Sequence, residues 1–129
     1  MNEPAWITKP ILLSVHGELL SRFGGLAGIR DEGLLDSALN RPLHLFNYGS
    51  PTLFQMAASY SHGIVKNHPF LDGNKRTGFM AAYIFLGVNG WFLEAPEEEA
   101  VLETLSLAAG ESSEEAYAAW LERNSVAAR

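Results

Sequence analysis

The stretch that most constrains this chain runs from Asn74 to Asn89, NKRTGFMAAYIFLGVN. Its middle, from Thr77 to Val88, has helical composition and is apolar nearly all the way round. Such a helix is stable in water only when other elements surround it. At about a dozen apolar residues it is too short to span a bilayer, which takes roughly 18 or more. The chain therefore has to supply amphipathic partners that enclose it, and an apolar fraction of 47% against 19% charged residues provides them.

Those partners are visible in the spacing of the remaining segments. Pro10 to Phe23 carries Ile11, Leu12, Val15, Leu19 and Leu20 on one stripe, and Gly24-Gly25 ends it. Asp31 is a helix cap ahead of Leu34, Leu35, Ala38 and Leu39. Arg41 to Pro51, RPLHLFNYGSP, is bounded by prolines and predicts a loop or short hairpin. Ser50-Pro51 predicts the N-cap and first turn of a helix reaching Lys66. Beyond the apolar helix, Gly90 is a C-cap and WFLE a short extended piece. Pro96 opens an acidic-first helix, and Ser112 or Ser113 opens a last one ending near Asn124. These readings add up to an all-α, compact, single-domain bundle of about six helices with little or no sheet.

Several function classes are excluded at this level. With no cysteine there is no disulfide and no thiolate metal site. MNEPAWITKP does not read as a signal peptide, so the expected location is the cytoplasm, with no membrane association. A formal net charge of -6 argues against direct nucleic-acid binding, which rests on phosphate neutralisation by Lys and Arg. The acidity is uneven. Residues 94 to 129 hold nine acids and two basic residues, whereas residues 1 to 93 hold six acids and seven basic residues.

Chemistry concentrates in NHPFLDGNKRTGF, Asn67 to Phe79. A helix start is already the positive end of the helix dipole, yet here it carries Lys75 and Arg76. Gly73 lets the backbone turn tightly and approach a ligand. The first amides of the helix lack intrahelical partners and form an anion site, to which Asn74 adds a side-chain amide. Asp72 is the lone carboxylate, suited to hold Mg²⁺ beside phosphate oxygens. His68 is the group that titrates near neutral pH and can take a proton from an attacking hydroxyl. Together they describe a phosphoryl- or nucleotidyl-transfer site. The competing account is a non-catalytic protein whose loop holds an anion. A P-loop is excluded, because its glycine positions fall on Pro69 and Asn74 and its hydroxyl position on Arg76. His16, His44 and His62 have no comparable neighbours in sequence and receive no role.

HPFLDGNKRT resembles the signature of the Fic/Doc superfamily, H-P-F-x-[D/E]-G-N-G-R-x-x-R, through His68, Pro69, Phe70, Asp72, Gly73, Asn74 and Arg76. It departs at Lys75, where the signature has glycine, and at Phe79, where it has the last arginine. Both departures are similar to the Doc (death-on-curing) toxin branch, H-x-F-x-[D/N]-[A/G]-N-K-R. GGLAGIRDEGLLDSALNRP, Gly24 to Pro42, resembles that branch too, and the likeness weakens after Trp91.

The resemblance implies a Fic/Doc fold over residues 1–129 and an ATP-dependent enzyme. Fic members transfer AMP to a protein hydroxyl. The Doc branch implies a kinase that phosphorylates elongation factor Tu and arrests translation, with ATP reversed in the site. It implies His68 as base, Asp72 as Mg²⁺ ligand and Arg76 as a catalytic phosphate contact. Gly73, Asn74 and Lys75 join Arg76 in binding ATP. It implies a target-positioning flap at Arg41 to Pro51, and a Phd-like antitoxin whose helix occupies a groove on the toxin. The self-inhibitory pattern of some Fic proteins, [S/T]-x-x-x-E-[G/N], is matched by Ser14 to Leu19 only up to Glu18, which helix exposure already explains.

Overall fold

A computed structural model describes residues 2–128. The order of elements is α1 (Lys9–Phe23), α2 (Glu32–Tyr48), α3 (Leu53–Asn67), α4 (Asn74–Val88), β1 (Trp91–Leu93), α5 (Glu97–Ala109), α6 (Glu114–Arg123) and β2 (Ser125–Ala127). Among the described residues there are six helices, as expected. Among the described residues the only sheet is an antiparallel pair, with Trp91 opposite Ala127 and Leu93 opposite Ser125. Its first strand is the extended piece anticipated at WFLE. Its second pairs across more than thirty residues and has no local signal.

The most enclosed helix is α3, with ten buried residues, against seven in α4. Small side chains explain this. Ala57, Ala58, Ser59, Ser61 and Gly63 let neighbouring helices approach α3 from several sides. A Cβ on Gly63 would stand 3.1 Å from Ala38 Cα, and Ser61 Oγ donates to the Gly78 carbonyl at 2.6 Å. The apolarity of α4 is then shared out. Ala81, Ala82, Phe85 and Leu86 enter the core, while Phe79, Met80 and Tyr83 are half-buried along a cavity.

Two boundaries differ from the sequence reading. Arg41 to Tyr48 is not a loop or hairpin flap but the last half of α2, which passes straight through Pro42. A mid-helix proline costs about 3 kcal/mol. Here Pro42 is itself buried, on the same face as Leu35, Ala38 and Leu39, so packing overrides the local signal. The start of α3 is set by Thr52 rather than Ser50. Thr52 Oγ1 accepts from Gln55 N, and Gln55 Oε1 accepts from Thr52 N, a reciprocal box. The caps at Asp31 and Ser113 fall where expected. On α1 the buried positions are Leu12 and His16, and Ile11 is exposed.

Among the described residues no helix is long and apolar enough to cross a membrane.

Candidate active site

The loop between α3 and α4 begins at His68, which caps α3 with φ 53° and ψ 52°. It is the only non-glycine residue with positive φ among those described. A side chain in this left-handed region costs on the order of 1–3 kcal/mol and persists only when its surroundings over-determine it. Arg30 supplies that restraint: its Nε donates to the His68 carbonyl at 2.6 Å and its Nη2 to the Asn67 carbonyl at 2.8 Å. The Arg30 and Asp31 amides both donate to the Pro69 carbonyl, and Leu71 N donates to the Gly28 carbonyl. The segment after α1 thus lies along the α3–α4 loop like a short strand, bridged at Ile29 and Phe70.

Asn74, 3% exposed, ties the loop together from below. Its Oδ1 accepts from Phe70 N at 3.0 Å, and its Nδ2 donates to the Phe70 carbonyl at 3.0 Å and faces His68 Nδ1 at 3.1 Å. The side-chain amide anticipated for an anion is therefore committed to the loop, and what Asn74 offers the cavity is its backbone N–H. The same bonds fix the amide orientation, so Nδ1 of neutral His68 is the acceptor and Nε2 carries the hydrogen. A base acting through Nε2 needs the other tautomer. That exchange gives up the bond and sets Nδ1–H against the Asn74 amide donor, a cost of about 1–3 kcal/mol.

At the start of α4, Gly73 has φ 78° and no side chain with which to cap the helix. The first intrahelical bond is Thr77 N to Gly73 O. The amides of Asn74, Lys75 and Arg76 consequently have no helical acceptor. Lys75 and Arg76 are exposed beside them, and the salt bridges among the described residues lie elsewhere. Arg76 instead rests on the ring of Phe23, with 4.3 Å from Cζ to the centroid. His68, Asp72, Gly73, Asn74, Lys75 and Arg76 line one cavity of about 650 Å³, with Phe23, Phe79, Met80 and Tyr83 forming apolar walls. Its volume lies within the range of small-molecule sites.

The Asp72 carboxylate is held by two backbone amides. Oδ1 accepts from Gly73 N at 2.9 Å and Oδ2 from Leu26 N at 3.3 Å. Gly25 has to be glycine here: its φ is 122°, and a Cβ would fall 2.9 Å from Asp72 Oδ2. Each oxygen keeps a free lone pair. Among the described residues no group of three or more His, Cys, Asp or Glu could hold a metal. One carboxylate suits Mg²⁺ that shares its coordination with substrate phosphates and water, and does not suit a metal held by protein alone.

Sequence reasoning missed Arg30, Phe23 and His16. His16, 5% exposed on α1, has Nε2 2.8 Å from the Asp72 carbonyl and stacks on Phe70 at 3.8 Å and 10°. Its one signal was a histidine on the buried stripe, four residues after Leu12. Glu18 is exposed and paired with Arg22, on the outside of α1.

The chain matches the sequence model of the Fic/DOC family over residues 6–86 and belongs to that family. It is similar to the protein named Toxin Doc of Mycolicibacterium smegmatis, 45% identical over 76 residues, 57% of this chain and 58% of that protein. The chain thus spans little more than half the length of that relative. It is also similar to the protein named Protein kinase doc of Escherichia phage P1, 35% identical over 118 residues, 91% of this chain and 93% of that protein.

Proposed function

We propose that this chain is a Doc-like toxin, a single domain over residues 1–129. It moves the γ-phosphoryl group of ATP to a Ser or Thr hydroxyl of a translation factor in the cytoplasm and so arrests translation. Elongation factor Tu is the expected target. The observation that carries the reading is the mouth of α4. Three unpartnered amides and two cations without acid partners open on one cavity with an imidazole and a carboxylate. An empty cradle of that kind is electrostatically unfavourable by roughly 0.3–1 kcal/mol per cation, and a polyphosphate reverses the sign.

Each residue then has a task. The amides of Asn74 to Arg76, with the Lys75 and Arg76 side chains, hold the phosphate chain. Asp72 would hold Mg²⁺, which when bound neutralises charge on the phosphate oxygens. His68 Nε2 takes the proton of the target hydroxyl as its oxygen bonds to the γ-phosphorus, and the bond to the β-bridging oxygen breaks to release ADP. Lys75 in place of glycine and the apolar Phe79 in place of arginine support phosphoryl over AMP transfer, as does the name of the phage relative.

A Phd-like antitoxin is the expected partner. The cavity continues along the apolar residues Leu19, Ala100, Val101 and Leu105, which suits an amphipathic helix. AMP transfer is the second reading, favoured by the intact His68-Pro69-Phe70 and Gly73-Asn74. Mass spectrometry of the target after incubation with ATP separates the two; addition of AMP rather than phosphate would reverse the choice. Growth arrest on expression should vanish in His68→Ala, and equal toxicity of that variant would leave only anion binding.

A further inference from the structure

The geometry points to His16 as a positioning residue that sets the Asp72 carboxylate through a single peptide plane. The Asp72 carbonyl lies just ahead of α4 and makes no other hydrogen bond among the described residues; His16 Nε2 donates to it at 2.8 Å. The same peptide unit carries Gly73 N, which donates to Asp72 Oδ1 at 2.9 Å. A peptide unit is rigid and planar, so fixing its C=O fixes its N–H. The imidazole therefore orients the amide that orients the carboxylate, without touching the carboxylate itself. Leu26 N on Oδ2 is the second restraint, and it comes from the loop that follows the helix carrying His16.

His16 is built for this. It is 5% exposed, and its ring lies flat on Phe70 at 3.8 Å. Phe70 is itself fully buried and bonded through both backbone groups to Asn74. The donor thus stands on a surface that belongs to the loop it holds. A histidine whose job was only to fill the core would be replaceable by an aromatic ring of similar area. One that aims Asp72 would not.

The inference rests on the phosphotransfer reading for the use of Asp72, but not for the bond. In the wild-type chain, long-range proton–nitrogen correlation NMR should show a hydrogen on His16 Nε2; an unprotonated Nε2 overturns the assignment whatever the protein's activity. The second measurement is Mn²⁺ affinity, read by electron paramagnetic resonance with a non-hydrolysable ATP analogue. His16→Phe keeps the stack and loses the donor, whereas His16→Gln keeps a donor. Partners behind a metal carboxylate are worth roughly 10–100-fold in affinity, so His16→Phe should weaken Mn²⁺ binding about tenfold or more and His16→Gln should recover most of it. Equal affinity in His16→Phe, or equal loss in both variants, would overturn it. If the wild type binds no Mn²⁺–nucleotide, the phosphotransfer reading fails while the NMR result still decides the role of His16.

Discussion

Replacing Arg76 with alanine should separate ligand affinity from stability. In the ligand-free protein two small terms oppose each other. Removing a cation from the positive end of α4 relieves roughly 0.3–1 kcal/mol. Losing the contact with Phe23, itself 56% exposed, forfeits about 0.5–1 kcal/mol. The unfolding free energy should therefore move by less than about 0.5 kcal/mol, as for other surface substitutions. With ATP bound, the lost contact is a charge-assisted one, about 1.5–3 kcal/mol. At about 1.4 kcal/mol per decade, that weakens binding roughly tenfold to hundredfold. Urea titration and calorimetry of ATP binding read the two quantities separately. Unchanged ATP affinity would refute the anion cradle. A large loss of stability with matching loss of affinity would show instead that Arg76 is structural.

Other expectations concern groups away from the site. The Tyr60 hydroxyl is buried, donates to the Ile7 carbonyl and accepts from Ile7 N at 3.0 Å, so Tyr60→Phe strands an amide and should cost about 1–3 kcal/mol in urea titration. Burial pushes the Tyr60 hydroxyl up to about 12, so the unfolded chain ionises first and wild-type stability should fall from the ordinary tyrosine range towards that value. Tyr60→Phe should flatten that alkaline slope, and an unchanged slope would contradict the assignment. Burial lowers the His62 pKa, with Arg41 and Lys66 adding to it and Glu114 and Glu115 opposing. The unfolded state therefore takes up that proton first, and stability should drop as pH falls below about 6.5, the ordinary histidine value. Melting curves of His62→Gln should be flatter than wild type across that range.

How much of this was legible in the sequence depended on distance along the chain. The loop from His68 to Arg76 declared itself because its chemistry lies within nine residues and contradicts the helix dipole. The caps at Asp31 and Ser113 are equally local. The course of α2 through Pro42 was not legible, since a proline signals a break and only burial against α3 overrides it. Nor was β2, whose partner is β1. Arg30 lies 38 residues from His68, and His16 lies 56 from Asp72; no spacing rule connects them. The all-round apolarity of α4 predicts a helix enclosed on every side. It is core on one side and cavity wall on the other, where Phe79, Met80 and Tyr83 face the site.

The central claim is that this cradle presents the end of a triphosphate to an alcohol activated by His68. Paired incubations of the purified protein and its target with γ-labelled and α-labelled ATP test it most directly. Label reaching the target from the γ position alone, and lost in His68→Ala, is the predicted result. Label from the α position, or γ transfer that survives the loss of His68, would contradict it.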